Sequence, residues 1–196
     1  DTGELKWHFQ YTPGDYMDYD EVGIQLLMDT EIDGDMRKVL AHFGRNGIFY
    51  TLDRNSGAYI DSGTYVSNLN WTEGIDPKTG MPLEYDPSKS LQTYAIGAIT
   101  RAGDTATTCP NIQGGTNFFP TAYNPELGIA YAVGIEGCSD LSVRAVDPAD
   151  VVAGEIFIGG AGVASGVQTG SINAVNVATS SEVAEANTPF PLYSGV

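Results

Sequence analysis

Four turns in this sequence share one plan. DTGELKW at residues 1 to 7, DRNSGAYI at 53 to 60, DPKTGMPL at 76 to 83 and NVATSSEVAEA at 176 to 186 each set an Asp or Asn ahead of Thr or Ser, usually with a Gly close by. Asp and Asn bend the chain by bonding to main-chain groups just ahead of them, and Gly accepts the left-handed conformation of a tight turn, so the pattern marks hairpins. Gly3 and Gly57 stand 54 residues apart, near the roughly 40 to 50 residue period of propeller blades. Between and beyond these turns lie short β-rich runs: RKVLAHFG at 37 to 44, GIFYTLDR at 47 to 54, GIAYAVGI at 128 to 135, GEIFIGG at 154 to 160 and SINAVNVA at 171 to 178. No amphipathic helical stretch of convincing length occurs. The expectation is an all-β chain, with a β-propeller as the leading architecture.

The sequence opens within one turn of the repeat and closes at TPFPLYSGV, where a further strand is due. Residues 1 to 196 are therefore expected to be a segment of a single propeller domain, about three blades or partial blades, with no separate second domain. Hydrophobic residues make up 42% of the chain, enough for a core, and no apolar run is long enough to span a membrane as a helix. A formal charge of −16 argues against nucleic acid as a partner and favours cations or basic proteins.

The acids cluster in GDYMDYDEVG, residues 14 to 23, as Asp15, Asp18, Asp20 and Glu21. Taken alone, such a cluster reads as a solvated acidic turn. If the bend is extended, Asp18 and Asp20 face one way while Asp15 and Glu21 face away and matter little. GRNG at 44 to 47 reads as a turn between strands. His8 and His42 flank hydrophobic residues and read as satisfied core or edge histidines. Asn70-Trp71-Thr72 matches a glycosylation acceptor and carries no weight.

In order along the chain, DTGELKWHFQYTPGDYMDYDEVG, GRNGIFYTLDRNSGAYI, NWTEGIDPKTGMPL, CPNIQGGTNFFPTAYNPELGIAYAVGIEGC and GSINAVNVA with TPFPLYSGV resemble successive segments of the alcohol dehydrogenases that depend on pyrroloquinoline quinone (PQQ). That family is built as a propeller of eight four-stranded blades, and the resemblance implies that this is its middle part. Trp7 keeps the family's repeat tryptophan, while Asp61 and Ala184 stand where later copies could carry one.

The resemblance also assigns roles. In the family the bend after WHFQ carries Trp-Asp-Tyr, whose Asp is the catalytic base beside the metal-bound quinone; here Met17-Asp18-Tyr19 matches, which gives Asp18 that role and replaces the tryptophan by methionine. Arg45 inherits the cation that faces the quinone oxygens and stabilises charge on reduction. Asn117, in GGTNFF, matches an asparagine that hydrogen-bonds the quinone, although a turn role after Gly114-Gly115 is an equal reading. Cys109 and Cys138 bracket the family segment closed by a disulfide, which implies an oxidising compartment, the periplasm. Asp20 stands two positions after the base, where relatives that use lanthanides carry an extra Asp. A trivalent hard cation calls for more anionic oxygen than calcium does, so Asp18 and Asp20 are the expected metal ligands, with Ca2+ as the alternative ion. The remaining ligands of the family, a Glu and an Asn, are not in this stretch.

What the resemblance implies is oxidation of a small alcohol to its aldehyde. Asp18 takes the proton, hydride passes to the metal-bound quinone, and electrons leave to a cytochrome c. The implied partners are the remainder of the propeller chain and that cytochrome, and a homodimer is compatible. A rival reading, from another class, is a non-catalytic propeller that serves as a scaffold for protein partners, because a repeat alone does not fix function.

Overall fold

A computed structural model describes residues 2–196; Asp1, which opens the first repeated turn, lies outside them. β1 (Leu26–Ile32), β2 (Asp35–Phe43), β3 (Ile48–Asp53) and β4 (Tyr59–Thr64) form a four-stranded antiparallel meander in chain order. A second sheet has the order β5-β7-β8-β9, built from β5 (Thr105–Thr108), β7 (Ile129–Val143), β8 (Gly160–Asn176) and β9 (Glu182–Thr188), while the short β6 (Ala122–Asn124) pairs with β7. Residues 2 to 25 run without regular strand, and among the described residues there is no α-helix. The molecule is thus two antiparallel sheets and a preceding irregular arm, as the all-β propeller reading requires.

The turn grammar works as the sequence suggests. Asp53 Oδ1 accepts from the N–H groups of Asn55 and Ser56, Asp76 Oδ1 from those of Lys78 and Thr79, and Asn176 Oδ1 from those of Ala178 and Thr179. Each turn is closed by its own first side chain. The repeat also joins one unit to another. Trp7 lies over Gly57, where a Cβ would collide with the indole, and its Nε1–H donates to the carbonyl of Arg54 at 3.2 Å. Asp61 holds the corresponding place one repeat on, and Ser180 takes the glycine's left-handed station with φ 48°.

The core forms on both faces of the first sheet. Phe43 and Phe49 pack with Ala130, Ala132 and Val175 of the second sheet and Val177 just past its β8, while Leu40, Ile48, Tyr50 and Leu52 pack against Tyr11, Met17, Tyr19 and Trp71. Alternate residues of β3 therefore serve different cores, and the apolar run GIFYTL is buried on both sides. One expected strand does not form. Residues 154 to 159 belong to the connection between β7 and β8, with Ile156 92% exposed. Because Val143 pairs with Gly160, the run GEIFIG lies past the end of the partner strand and has no ladder to join.

Candidate active site

The acidic bend is shaped by Asp15, whose carboxylate accepts from the main-chain N–H of Met17 at 2.7 Å and of Tyr19 at 2.6 Å. Met17 and Tyr19 are buried, and the Tyr19 hydroxyl donates to the carbonyl of Pro110 at 2.6 Å. With 17 and 19 anchored inward, Asp18 and Asp20 emerge on the other side, their side chains 65% and 68% exposed. The backbone is not the regular extended one expected, since Asp18 sits at φ 68°; local bonding to Asp15 sets the bend. The outcome for the pair is nevertheless as expected: both face Arg45, with Asp18 Oδ2 3.9 Å and Asp20 Oδ2 3.7 Å from its terminal nitrogens.

Arg45 sits in the tight β2–β3 turn with its side chain 8% exposed. Its N–H donates to Glu21 Oε2 at 3.2 Å, its carbonyl accepts from Gly115 N at 2.8 Å, and Nη2 donates to the carbonyl of Ile112 at 2.5 Å. Nε is buried and has no partner, and neither has the hydroxyl of Thr116. The close approach of the 111 to 117 segment depends on its double glycine: a Cβ on Gly114 would lie 2.7 Å from Arg45 Cβ, and one on Gly115 2.8 Å from the Tyr65 hydroxyl oxygen. The Nε donor of a buried cation left without an acceptor is able to meet an anionic or carbonyl oxygen.

Cys109 and Cys138 are bridged and close the loop that contains these glycines. Asn117 lies in that loop, but its amide donates to the carbonyl of Gln113 at 2.8 Å and accepts from Phe118 N at 2.9 Å, so its side chain is engaged in its own turn. Asn70 is a structural tie beside the bridge: it accepts from Cys109 N at 2.7 Å and donates to the carbonyl of Thr107 at 3.0 Å. His42 is fully buried and bonded, as expected, whereas His8 is exposed. Glu21 departs from the expectation of an idle acid, since it reaches both His42 and the main chain of Arg45.

The electrostatics favour a proton acceptor at Asp18. Burial pushes its carboxyl above the ordinary range, the guanidinium of Arg45 pulls it back, and the charge of Asp20 raises it again. Beside it opens a cleft of about 900 Å³ whose walls include Tyr16, Met17, Ile99, Ile112, Leu141 and Phe157. Among the described residues no three His, Cys, Asp or Glu side chains converge to hold a metal. Asp18 and Asp20 offer hard carboxylate oxygens of the kind Ca2+ or a lanthanide takes, too few by themselves for a full ligand set.

Comparison with known proteins decides what this arrangement belongs to. Residues 1–62 match the PQQ family described as glucose/ethanol/alcohol dehydrogenase, β-propeller domain. The dehydrogenase subunit of the quinone alcohol dehydrogenase of Komagataeibacter europaeus is 37% identical over 131 residues, 67% of this chain and 16% of its own. The quinoprotein ethanol dehydrogenase of Pseudomonas putida is 31% identical over 202 residues, 100% of this chain and 31% of its own. This chain resembles a stretch of the PQQ-dependent alcohol dehydrogenases. A europium-containing methanol dehydrogenase superposes on all of it with a TM-score of 0.84 at 28% identity, over 33% of that structure. The chain therefore spans less than a third of the length of these two quinoprotein relatives, and the two sheets are part of a PQQ-dehydrogenase propeller.

Proposed function

We propose that this chain carries the proton-accepting and quinone-facing side of an enzyme that oxidises an alcohol to its aldehyde. The observation that carries the reading is the buried Arg45 guanidinium, with an unpartnered Nε, facing the exposed carboxylates of Asp18 and Asp20. When bound, PQQ together with a hard cation would supply the acceptor for the hydride that leaves the alcohol carbon. Asp18 takes the hydroxyl proton as that hydride departs, so the alcohol loses two electrons and two hydrogens and becomes the aldehyde. Arg45 meets the negative charge that grows on the acceptor oxygens, from a position where little water competes. Asp18 and Asp20 would be two ligands of the cation, and the Thr116 hydroxyl and the one amide hydrogen of Asn117 not used in its own turn would offer hydrogen bonds at the quinone. The apolar walls of the adjoining cleft suit the carbon chain of the alcohol and leave its hydroxyl to Asp18. The disulfide fits a periplasmic location, and a cytochrome c is the proposed electron acceptor.

The test is Asp18→Asn in the holoenzyme. The amide keeps the shape of the side chain but cannot take the proton, so quinone content should stay near wild type while turnover falls by roughly 10² to 10⁴. Turnover close to wild type would remove Asp18 from the role of base.

A further inference from the structure

We infer that Glu21 is a positioning residue: its carboxylate, aimed by His42, fixes the main chain of Arg45 and so sets where the guanidinium stands relative to Asp18 and Asp20. The proposal rests on the alcohol-oxidation reading above and adds to it a residue with no assigned role.

The argument starts from what does not hold Arg45. The two aspartates lie 3.7 to 3.9 Å away on exposed side chains, too far for hydrogen bonds to orient the guanidinium. Its place must come from its own backbone and from Ile112. The Arg45 carbonyl is fixed by Gly115 N, and the N–H by Glu21 Oε2. That same oxygen lies 2.7 Å from His42 Nε2, and His42 has no exposed surface.

A chain of hydrogen bonds gives this contact a direction. The Tyr11 hydroxyl donates to Gln25 Oε1 at 3.0 Å, and His42 Nδ1 lies 2.9 Å from the Gln25 amide nitrogen and 3.2 Å from the Ile24 carbonyl, so the imidazole is held with Nε2 directed at Glu21 Oε2. Four side chains thus converge on one main-chain N–H. Glu21 belongs to the acidic bend and Arg45 to the β2–β3 turn, so this carboxylate is the strap between the element that carries the base and the element that carries the cation. Glu21 Oε1 is buried without a partner, a cost that sets this acid apart from a solvated surface one. Gly44 leaves room for the strap: a Cβ there would stand 3.2 Å from Oε1 and 2.6 Å from Asn46 Oδ1.

Two gentle substitutions test the proposal in the holoenzyme and its quinone-free form. Glu21→Asp shortens the side chain by one methylene, so it cannot reach both His42 and the Arg45 N–H. Glu21→Gln keeps the length and an oxygen for that N–H. In Glu21→Asp, amide exchange of the 43 to 48 segment should quicken about tenfold while that of β7 and β8 stays unchanged. PQQ titrated into the quinone-free protein should bind about tenfold more weakly, and kcat should fall by about ten- to a hundredfold with the alcohol KM within about twofold, the pattern of a displaced group rather than a lost binding contact. Glu21→Gln should recover the exchange rate and most of the PQQ affinity. Wild-type exchange and PQQ binding in Glu21→Asp, or equal impairment in Glu21→Gln, would overturn the proposal. Asp18→Asn assayed alongside separates the two claims: if it turns over normally the alcohol-oxidation reading falls, while exchange and PQQ titration still decide the role of Glu21.

Discussion

Arg45 and the two aspartates opposite it share a site but belong to different kinds of structure. Arg45 stands on a hairpin buried on both faces, and three of its groups are held by two other segments, one at Glu21 and one at Ile112 and Gly115. Asp18 and Asp20 stand on an irregular bend whose anchors are their neighbours Asp15, Met17 and Tyr19, and their own carboxylates accept no hydrogen bond from the described residues. The difference has a chemical meaning. On the proposed alcohol-oxidation reading, a cation that meets charge as it develops is best fixed in advance, whereas carboxylates that exchange protons and bind a metal are best left with free lone pairs.

The strongest way to break this comparison is to remove the fixed partner. Arg45→Met keeps most of the buried stem and deletes the charge, so the apoprotein should stay folded while PQQ affinity drops by about a hundredfold, the loss of one or two charge-assisted hydrogen bonds. Equal loss of PQQ from Asp18→Asn would erase the distinction between fixed and free groups. Asp20→Ala is expected to act more narrowly. It should weaken activation by a light lanthanide by about tenfold, and activation by calcium by much less, because a trivalent ion depends more on each anionic oxygen. Equal activation of wild type and variant by either ion would leave Asp20 outside the metal site.

The smallest effect expected is on pH. In the metal-free protein burial raises the Asp18 carboxyl above its ordinary value, so the acid limb of its titration, followed by the NMR shift of the carboxylate, should lie above that of a free aspartate. Asp20→Asn removes one raising cause and should move the limb to lower pH; movement upward would show that Asp20 acts on Asp18 in another way. For folding the sign is the reverse of a salt-bridged acid. The folded state holds the proton more tightly than the unfolded one, so ionising Asp18 lowers stability as pH rises through this window.

The sequence makes the repeat turns legible because their bonding is local: Asp53, Asp76 and Asn176 each close on residues two or three positions ahead. β3 and the starts of β7 and the end of β8 are legible for a similar reason, their β-rich runs being bounded by turn residues. The run GEIFIGG has the same composition and fails as a strand, since pairing depends on where the partner ends. Asp18 and Arg45 emerge from family likeness, whereas Glu21 was hidden. Counting alternate residues presumes an extended backbone, and the left-handed conformation of Asp18 breaks that count one residue before Tyr19. The partners of Glu21 lie 21 and 24 residues on, and no local pattern reports them.

Trp71 shares the second core with Tyr19, is fully buried, and donates from its indole nitrogen to the carbonyl of Asn46, the residue after Arg45, at 2.8 Å. Its ring lies 6.2 Å from that of Tyr19, the residue after Asp18. The chain has two tryptophans, and the other, Trp7, is half-buried against Gly57. The indole at 71 is therefore an optical gauge built between the two halves of the site: its emission belongs at the blue edge of the protein's fluorescence, and a shift in either flanking residue changes the field at its ring without any added label.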